Sequence, residues 1–394
     1  MIDGIYYNPT IVFFGKNMEA RVGEETARYS KKIMLLYGGE SFKKYGLYDK
    51  VTASLHASGV AAIELGGVKP NPGIDFVYKG IEICRKENID FILAVGGGSV
   101  IDTAKAISIG APYDGDVLDF FEGRKQIPDK NLKVAAILTL PGTGSESNIT
   151  TVITLKQGIK KSYSAPTIAP VFSILNPELT YTLPEYYTEC GIADAISHVM
   201  EMYFTNTSGV DCTDRICEGL IKTLMKYALE VKGSPSDYDI RAEIMWACKL
   251  TNDNTAGFGR KQDWSSHKIA HGLGALYEDI PHGAILSVLM PAWMAYTYKA
   301  KTERFVQFAE RVFGIDEKAG PSEEVSLLAV NKFKDFLKAI GMPSDLKEAG
   351  ITDKSCFPEI SLDCVKDMKS GTTGNFVRLS QQDILNILNS AYAI

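Results

Sequence analysis

Four of the chain's five histidines, His198, His267, His271 and His282, fall in one stretch of sequence. His198 follows Asp194 by four positions, and a helix carries positions i and i+4 on one face, so a carboxylate and an imidazole become neighbours there. His267 and His271 repeat the spacing on a second segment, and His282 follows Pro281. Up to four ligands from three places can therefore converge on one ion, and imidazoles with a carboxylate suit a divalent first-row metal.

Two loops of small residues point to a different ligand. Gly96-Gly97-Gly98-Ser99 precedes a helical pattern beginning near Val100 and carrying Asp102 and Lys105. A loop without side chains lets a pyrophosphate approach backbone N–H groups, and a helix N-terminus adds partial positive charge. The segment is neither a G-x-G-x-x-G fingerprint nor a Walker A loop, and a tight strand-to-helix turn explains it equally well in isolation. The second loop, Thr139 to Glu146, offers the hydroxyls of Thr139, Thr143 and Ser145 beside Gly142 and Gly144. Turn capping is the plainer reading of its threonines, but two such loops strengthen each other.

The elements that must position these residues fall into two halves. Ile33 to Tyr37, Phe91 to Val95 and Val134 to Leu138 read as buried strands, each running into a loop of small residues, with helical patterns between. That alternation predicts a parallel α/β sheet, whose ligand crevice lies beyond the carboxyl ends of its strands. After Pro166, Pro170, Pro177 and Pro184 the pattern turns helical, with candidates at Glu185–Tyr203, Asp214–Glu230, Ile240–Asn252, Trp264–Leu276, Gly283–Tyr298 and Thr302–Phe313. The expected division is thus an α/β domain over 1–184 and an all-helical domain over 185–394, and 394 residues are long for one core.

Composition excludes several classes. A net charge of −6 without a basic run disfavours nucleic acid and anionic membranes as partners. The apolar run from Ala284 to Tyr296 contains Pro291 and is too short to span a bilayer. Met1 to Tyr7 lacks the basic flank and apolar core of a secretory signal, so a cytoplasmic location is expected. The seven cysteines, Cys84, Cys190, Cys212, Cys217, Cys248, Cys356 and Cys364, are odd in number and scattered, as reduced thiols are.

Gly96-Gly-Gly-Ser-Val-Ile-Asp102, Pro141-Gly-Thr-Gly-Ser-Glu146, Asp194-Ala-Ile-Ser-His198, His267-Lys-Ile-Ala-His271 and Pro281-His-Gly283 stand in the order and approximate spacing of one family. Over essentially its full length the chain resembles the iron-containing (group III) alcohol dehydrogenases, and within them the butanol dehydrogenase branch. The resemblance implies a dehydroquinate synthase-like two-domain architecture: a dinucleotide-binding α/β domain, an all-helical domain and a metal in the cleft between them. It implies Asp194, His198, His267 and His282 as metal ligands, with His271 near the nicotinamide and substrate instead. The plainer readings are a helix-surface pair for Asp194 and His198, a solvated or core face for His267 and His271, and a helix cap for His282. Their joint occurrence favours the metal. His56 lies outside every motif and reads as a surface residue.

For the cofactor, the resemblance implies Gly97, Gly98 and Ser99 at the pyrophosphate and Asp102 beside the nicotinamide ribose. It places Thr139, Leu140 and Thr143 in a second cofactor loop, Lys161 at a ribose and Leu179 in an apolar wall. Lys160-Lys161 also reads as a solvated basic turn. Around Gly38-Gly39-Glu40-Ser41, NAD-using relatives have an acidic residue aligned with Gly39. Gly39, Ser41, Lys43 and Lys44 leave room and charge for a 2′-phosphate, so NADP(H) is favoured over NAD(H), whereas Glu40 cuts the other way. Asn176, where the family often has Asp, is a milder departure.

The expected activity is reversible hydride transfer between a small primary alcohol and its aldehyde, using Fe²⁺ or Zn²⁺, with His271 moving the proton. A homodimer is expected from the resemblance. The rival readings are an NAD-dependent lyase of the dehydroquinate synthase type, a polyol dehydrogenase, and a metal hydrolase without a nucleotide. The lyase calls for several basic residues around the metal, and few between Asp194 and His282 are placed suggestively, while the hydrolase leaves the loops at Gly96 and Thr139 without a use.

Overall fold

The computed structural model describes residues 1–126, 128, 130–155, 159–366 and 368–392. The chain divides into two compact units, one comprising 7–183 and 236–245, the other 1–6, 184–235 and 246–394. The main break falls between Leu183 and Pro184, and two short segments, 1–6 and 236–245, belong with the opposite unit.

The first unit runs β1 (Ile11–Phe14), α1 (Val22–Ala27), β2 (Lys32–Tyr37), α2 (Ser41–Lys44), α3 (Leu47–Ala57), β3 (Ala61–Gly66), α4 (Ile74–Glu87), β4 (Phe91–Gly97), α5 (Gly98–Gly110), α6 (Leu118–Phe121), β5 (Lys133–Leu140), β6 (Thr150–Leu155), β7 (Ile159–Ser164) and β8 (Phe172–Leu175). Among the described residues six strands form one sheet in the order β1-β8-β5-β4-β2-β3, every neighbouring pair parallel. Apolar runs such as Ile33–Tyr37 and Phe91–Val95 form its centre because helices cover both faces. Strand alternation sends Met34, Leu36, Ile92 and Ala94 into one core layer, and Ile33, Leu35, Phe91 and Leu93 into the other. The strand order reverses between β2 and β4, which makes the space beyond their carboxyl ends the topological switch point.

Two features differ from expectation. Strand β4 does not stop at Val95: Gly96 pairs with Leu138 and Gly97 with Leu140 across a register shift, so the glycine loop begins as a strand. An antiparallel hairpin, β6 with β7, follows the second loop and was not foreseen.

The second unit is helical: α7 (Glu185–Tyr203), α8 (Asp211–Gly233), α9 (Tyr238–Thr251, whose first turns belong to the first unit), α10 (Ser265–Leu276), α11 (His282–Thr297), α12 (Thr302–Phe313), α13 (Ser322–Ala339), α14 (Phe357–Asp363) and α15 (Gln381–Tyr392). Helix α7 is buried at every position from Thr188 to Tyr203, as befits a helix apolar around most of its circumference. It packs on α8 and α11, and α11 packs on α10 and α15. Pro291 does not break α11, which runs through it. No described helix is long and apolar enough to cross a membrane.

Candidate functional site

In the helical unit, α7 presents Asp194 and His198 one turn apart, the start of α10 presents His267, and the first residue of α11 is His282. Ligand atoms of Asp194, His267 and His282 lie within 4.8 Å of one another. His198 stands just outside that trio: its Nε2 is 3.8 Å from Asp194 Oδ1, the same distance as His267 Nε2, and its ring stacks on His267 with centroids 4.6 Å apart. His271 is partly exposed and stacks on the far side of the cluster against His282, centroids 5.2 Å apart. Exposed His56 lies on α3 of the other unit.

The donors behave as an ion site rather than a hydrogen-bonded core. Asp194 Oδ1 and His267 Nε2, 3.8 Å apart, are buried without a hydrogen-bond partner, and burying such atoms unpaired is costly. Burial pushes His198 down to about 4, leaving a neutral imidazole with a lone pair to give. Burial also acts against charge on His267, but the neighbouring carboxylates of Asp194 and Glu201 prevail and raise it to about 9. Burial works to raise the Asp194 carboxyl, yet the surrounding imidazoles hold it well below the usual carboxylate range. One carboxylate charge amid imidazole nitrogens fits a divalent first-row ion.

Helix packing sets the spacing. A Cβ added to Gly283 would lie 1.9 Å from the Cys190 carbonyl oxygen and 2.7 Å from its carbon, both on the α7 backbone. Only glycine lets α11 approach α7 this closely, and His282 is the adjacent residue. Gly283→Ala is therefore expected to lower stability by about 1–3 kcal/mol through overpacking and to weaken metal binding. Thermal melts with and without Zn²⁺ check this: an unchanged zinc-dependent shift would contradict it.

In the α/β unit the expected nucleotide residues cluster at the carboxyl edge of the sheet. Gly38 follows β2, Gly97 ends β4 and Gly98 and Ser99 open α5, while Thr139 and Leu140 end β5. Gly98 and Thr143 approach so closely that a Cβ on Gly98 would meet the Thr143 side chain at 2.6 Å, which joins the two loops. Leu179 lies in the short turn of 3₁₀ helix after β8, and Lys161 on β7 of the hairpin.

Asp102 is more committed than expected. Its Oδ1 accepts from Ser145 Oγ at 2.5 Å and its Oδ2 from the Val152 N–H at 3.0 Å, so only remaining lone pairs can serve a ribose. Lys105, buried on the same helix, points its ammonium at Ser145 Oγ, Asn148 Oδ1 and the carbonyls of Asn148 and Thr150. Together they pin the second loop to α5. Burial lowers Lys105 to about 8, against the pull of Asp102.

In the turn after β2, Gly39, Glu40 and Ser41 are exposed, and Ser41 opens α2. The charge expected from the two lysines is partly committed elsewhere. Lys43 lies over the Tyr37 and Tyr48 rings with its Nζ 3.8 Å from Glu64, and Lys44 lies over Tyr45. Asn176 has a structural reason: its Nδ2 donates to buried Glu19 at 2.9 Å while its Oδ1 caps Glu178 N–H. An aspartate there would set two carboxylates together.

One residue escaped the reading by spacing. Glu201, 1% exposed, places Oε1 3.1 Å from His267 Nδ1. It lies seven positions after Asp194 on the same helix face, the signal that could have found it.

Residues 9–177 match the family profile described as iron-containing alcohol dehydrogenase, and 189–392 that of the Fe-containing alcohol dehydrogenase family, C-terminal. The chain is 39% identical over 389 residues to the probable NADH-dependent butanol dehydrogenase 1 of Bacillus subtilis, covering 98% of each chain. It is 34% identical over 358 residues to the NADPH-dependent aldehyde reductase YqhD of Escherichia coli, covering 90% of each. The crystal structure of NADH-dependent butanol dehydrogenase A from Thermotoga maritima superposes with a TM-score of 0.94 at 37% identity, covering 100% of this chain and 99% of that one. With its sheet, its helical unit and its buried donor cluster in place, the chain belongs to the iron-containing alcohol dehydrogenase family.

Proposed function

We propose that this protein is a metal-dependent NAD(P)(H) alcohol dehydrogenase and aldehyde reductase that interconverts small primary alcohols and aldehydes of butanol and butanal size. The observation that carries the reading is the convergence of Asp194, His267 and His282, with His198 beside them, and the burial of Asp194 Oδ1 and His267 Nε2 without a hydrogen-bond partner. The names of the Bacillus, Escherichia and Thermotoga relatives support the substrate class. One divalent ion, Fe²⁺ or Zn²⁺, is held by those four side chains, and zinc is favoured by general affinity order.

When bound, the metal supplies a Lewis acid for the substrate oxygen, and the nicotinamide takes or gives the hydride. The protein's part is to hold and orient. Gly97, Gly98 and Ser99, at the N-terminus of α5, receive the pyrophosphate on backbone N–H groups. Gly38, Gly39, Glu40 and Ser41 face the adenosine ribose, while Asp102, Thr139, Leu140, Thr143, Lys161 and Leu179 contact the remainder of the dinucleotide. His271, partly exposed and stacked on His282, relays the proton to solvent. A cytoplasmic homodimer completes the proposal.

NADP(H) is favoured over NAD(H). The relatives' names fall on both sides, NADH for Bacillus and Thermotoga and NADPH for Escherichia. A side chain at Gly39 meets nothing within 4 Å, so Gly39→Asp is accommodated and should repel a 2′-phosphate. The expected result is a shift of the kcat/KM ratio toward NADH of roughly tenfold or more. An unchanged ratio would remove position 39 from cofactor choice.

The reading is tested by loss of NADPH or NADH absorbance with butanal, the cofactors at equal concentration and metal supplied. Butanal-dependent oxidation, faster with NADPH, is expected. Oxidation of neither cofactor across a panel of aldehydes would defeat the dehydrogenase reading.

A further inference from the structure

We propose that Glu201 is a positioning residue for the metal, acting through His267. Its carboxylate holds the imidazole with the proton on Nδ1, so that Nε2 keeps its lone pair for the ion. The inference rests on the metal reading above.

Three contacts define the arrangement. Glu201 Oε1 accepts the His267 backbone N–H at 2.9 Å and the Ser266 hydroxyl at 2.5 Å, and lies 3.1 Å from His267 Nδ1. A carboxylate only accepts, so the proton between Oε1 and Nδ1 belongs to the ring. On the opposite side of that ring, Nε2 is buried without a hydrogen-bond partner and faces Asp194 Oδ1 at 3.8 Å. With Nδ1 as donor, a neutral imidazole presents Nε2 as its acceptor. A carboxylate behind a ligating histidine fixes tautomer and ring orientation and raises basicity.

The same carboxylate also holds the turn before α10, beside Asp263 Oδ1, which accepts the Ser265 N–H at 3.0 Å. Trp264 precedes the helix with φ of 65°, left-handed for a bulky residue, and has no capping side-chain bond of its own. Instead its N–H donates to Glu201 Oε2 at 2.8 Å. Strain of this kind persists where surrounding structure holds it. Capping accounts for the backbone contacts of Glu201, but not for the contact to the ring, so the two roles make different predictions.

The test uses the full-length protein, with Zn²⁺ as the probe. Zinc affinity is measured by competition with a fluorescent chelator for wild type and Glu201→Gln, beside NADPH affinity by fluorescence. The expected result is zinc binding weakened roughly 10–100-fold with NADPH affinity unchanged. Equal zinc affinity in the two proteins would overturn the role of Glu201 and leave the metal reading intact. Absence of zinc binding by wild type would defeat both. If Glu201→Gln does not fold, ¹⁵N-histidine spectra of zinc-loaded wild type decide the matter. A His267 ring protonated at Nδ1 is expected, and a proton on Nε2 would overturn the assignment.

Discussion

His267→Ala should lose both metal and turnover. His267 is the residue that joins the parts of the cluster: its ring stacks on His198, approaches Asp194 and is held from behind by Glu201. Removing it leaves Asp194 buried with fewer compensating imidazoles and takes one donor from the trio that lies within 4.8 Å. Lewis-acid stabilisation of the transition state is worth several kcal/mol, so butanal reduction should fall by roughly 10³-fold or more. Metal analysis of the purified variant should show depletion. NADPH binding should survive, because the residues assigned to the nucleotide belong to the α/β unit. A metal-free variant with wild-type activity would contradict the mechanism.

Asp214→Asn should cost about 3–5 kcal/mol of stability, the penalty for breaking a buried charge cluster. Asp214 on α8 accepts from Arg304 Nη1 at 2.6 Å and Nη2 at 2.5 Å, and Arg260 Nη1 lies 2.9 Å away. Arg304 also donates to the Tyr203 carbonyl at the end of α7, and Arg260 to the Met202 carbonyl. The substitution would leave two buried guanidiniums without their shared anion. Burial favours the neutral acid, but the two arginines and Gln307 prevail and hold the Asp214 carboxyl below its ordinary range. A carboxyl depressed in the folded state stabilises above its unfolded pKa, and that contribution disappears as pH falls through the folded value. Thermal melts from neutral pH into the acid range should therefore show a large loss for the variant near neutrality that narrows in acid. A constant difference across pH would rule out the charge as its source.

Much of the architecture could be read along the chain because it depends on local pattern. Glu185–Tyr203 and Thr302–Phe313 are helices at the expected bounds, and the buried strands follow runs of apolar residues. The metal-ligand candidates were visible because i, i+4 spacing is a local property. What was missed depends on contacts through space. Glu201 has the right periodicity, but its purpose exists only once α10 is folded against it. The need for glycine at 283 comes from the crossing of α11 over α7. Lys43, on α2, reads as a phosphate partner in sequence, but in the fold Glu64 on β3 lies within reach of its ammonium. The hairpin β6–β7 is a different case: Thr150-Thr-Val-Ile-Thr-Leu is rich in β-branched residues, a strand signal overshadowed by the proline passage that follows.

The central claim is that a single ion held by Asp194, His198, His267 and His282 is needed for hydride transfer. The most direct measurement removes metal from the full-length protein with a chelator and returns Fe²⁺ or Zn²⁺ in steps, following butanal-dependent NADPH oxidation against bound metal. The account predicts negligible turnover in the stripped protein, rising in proportion to occupancy and levelling at one ion per chain. Full turnover by the stripped protein, or activity that does not follow occupancy, would contradict it.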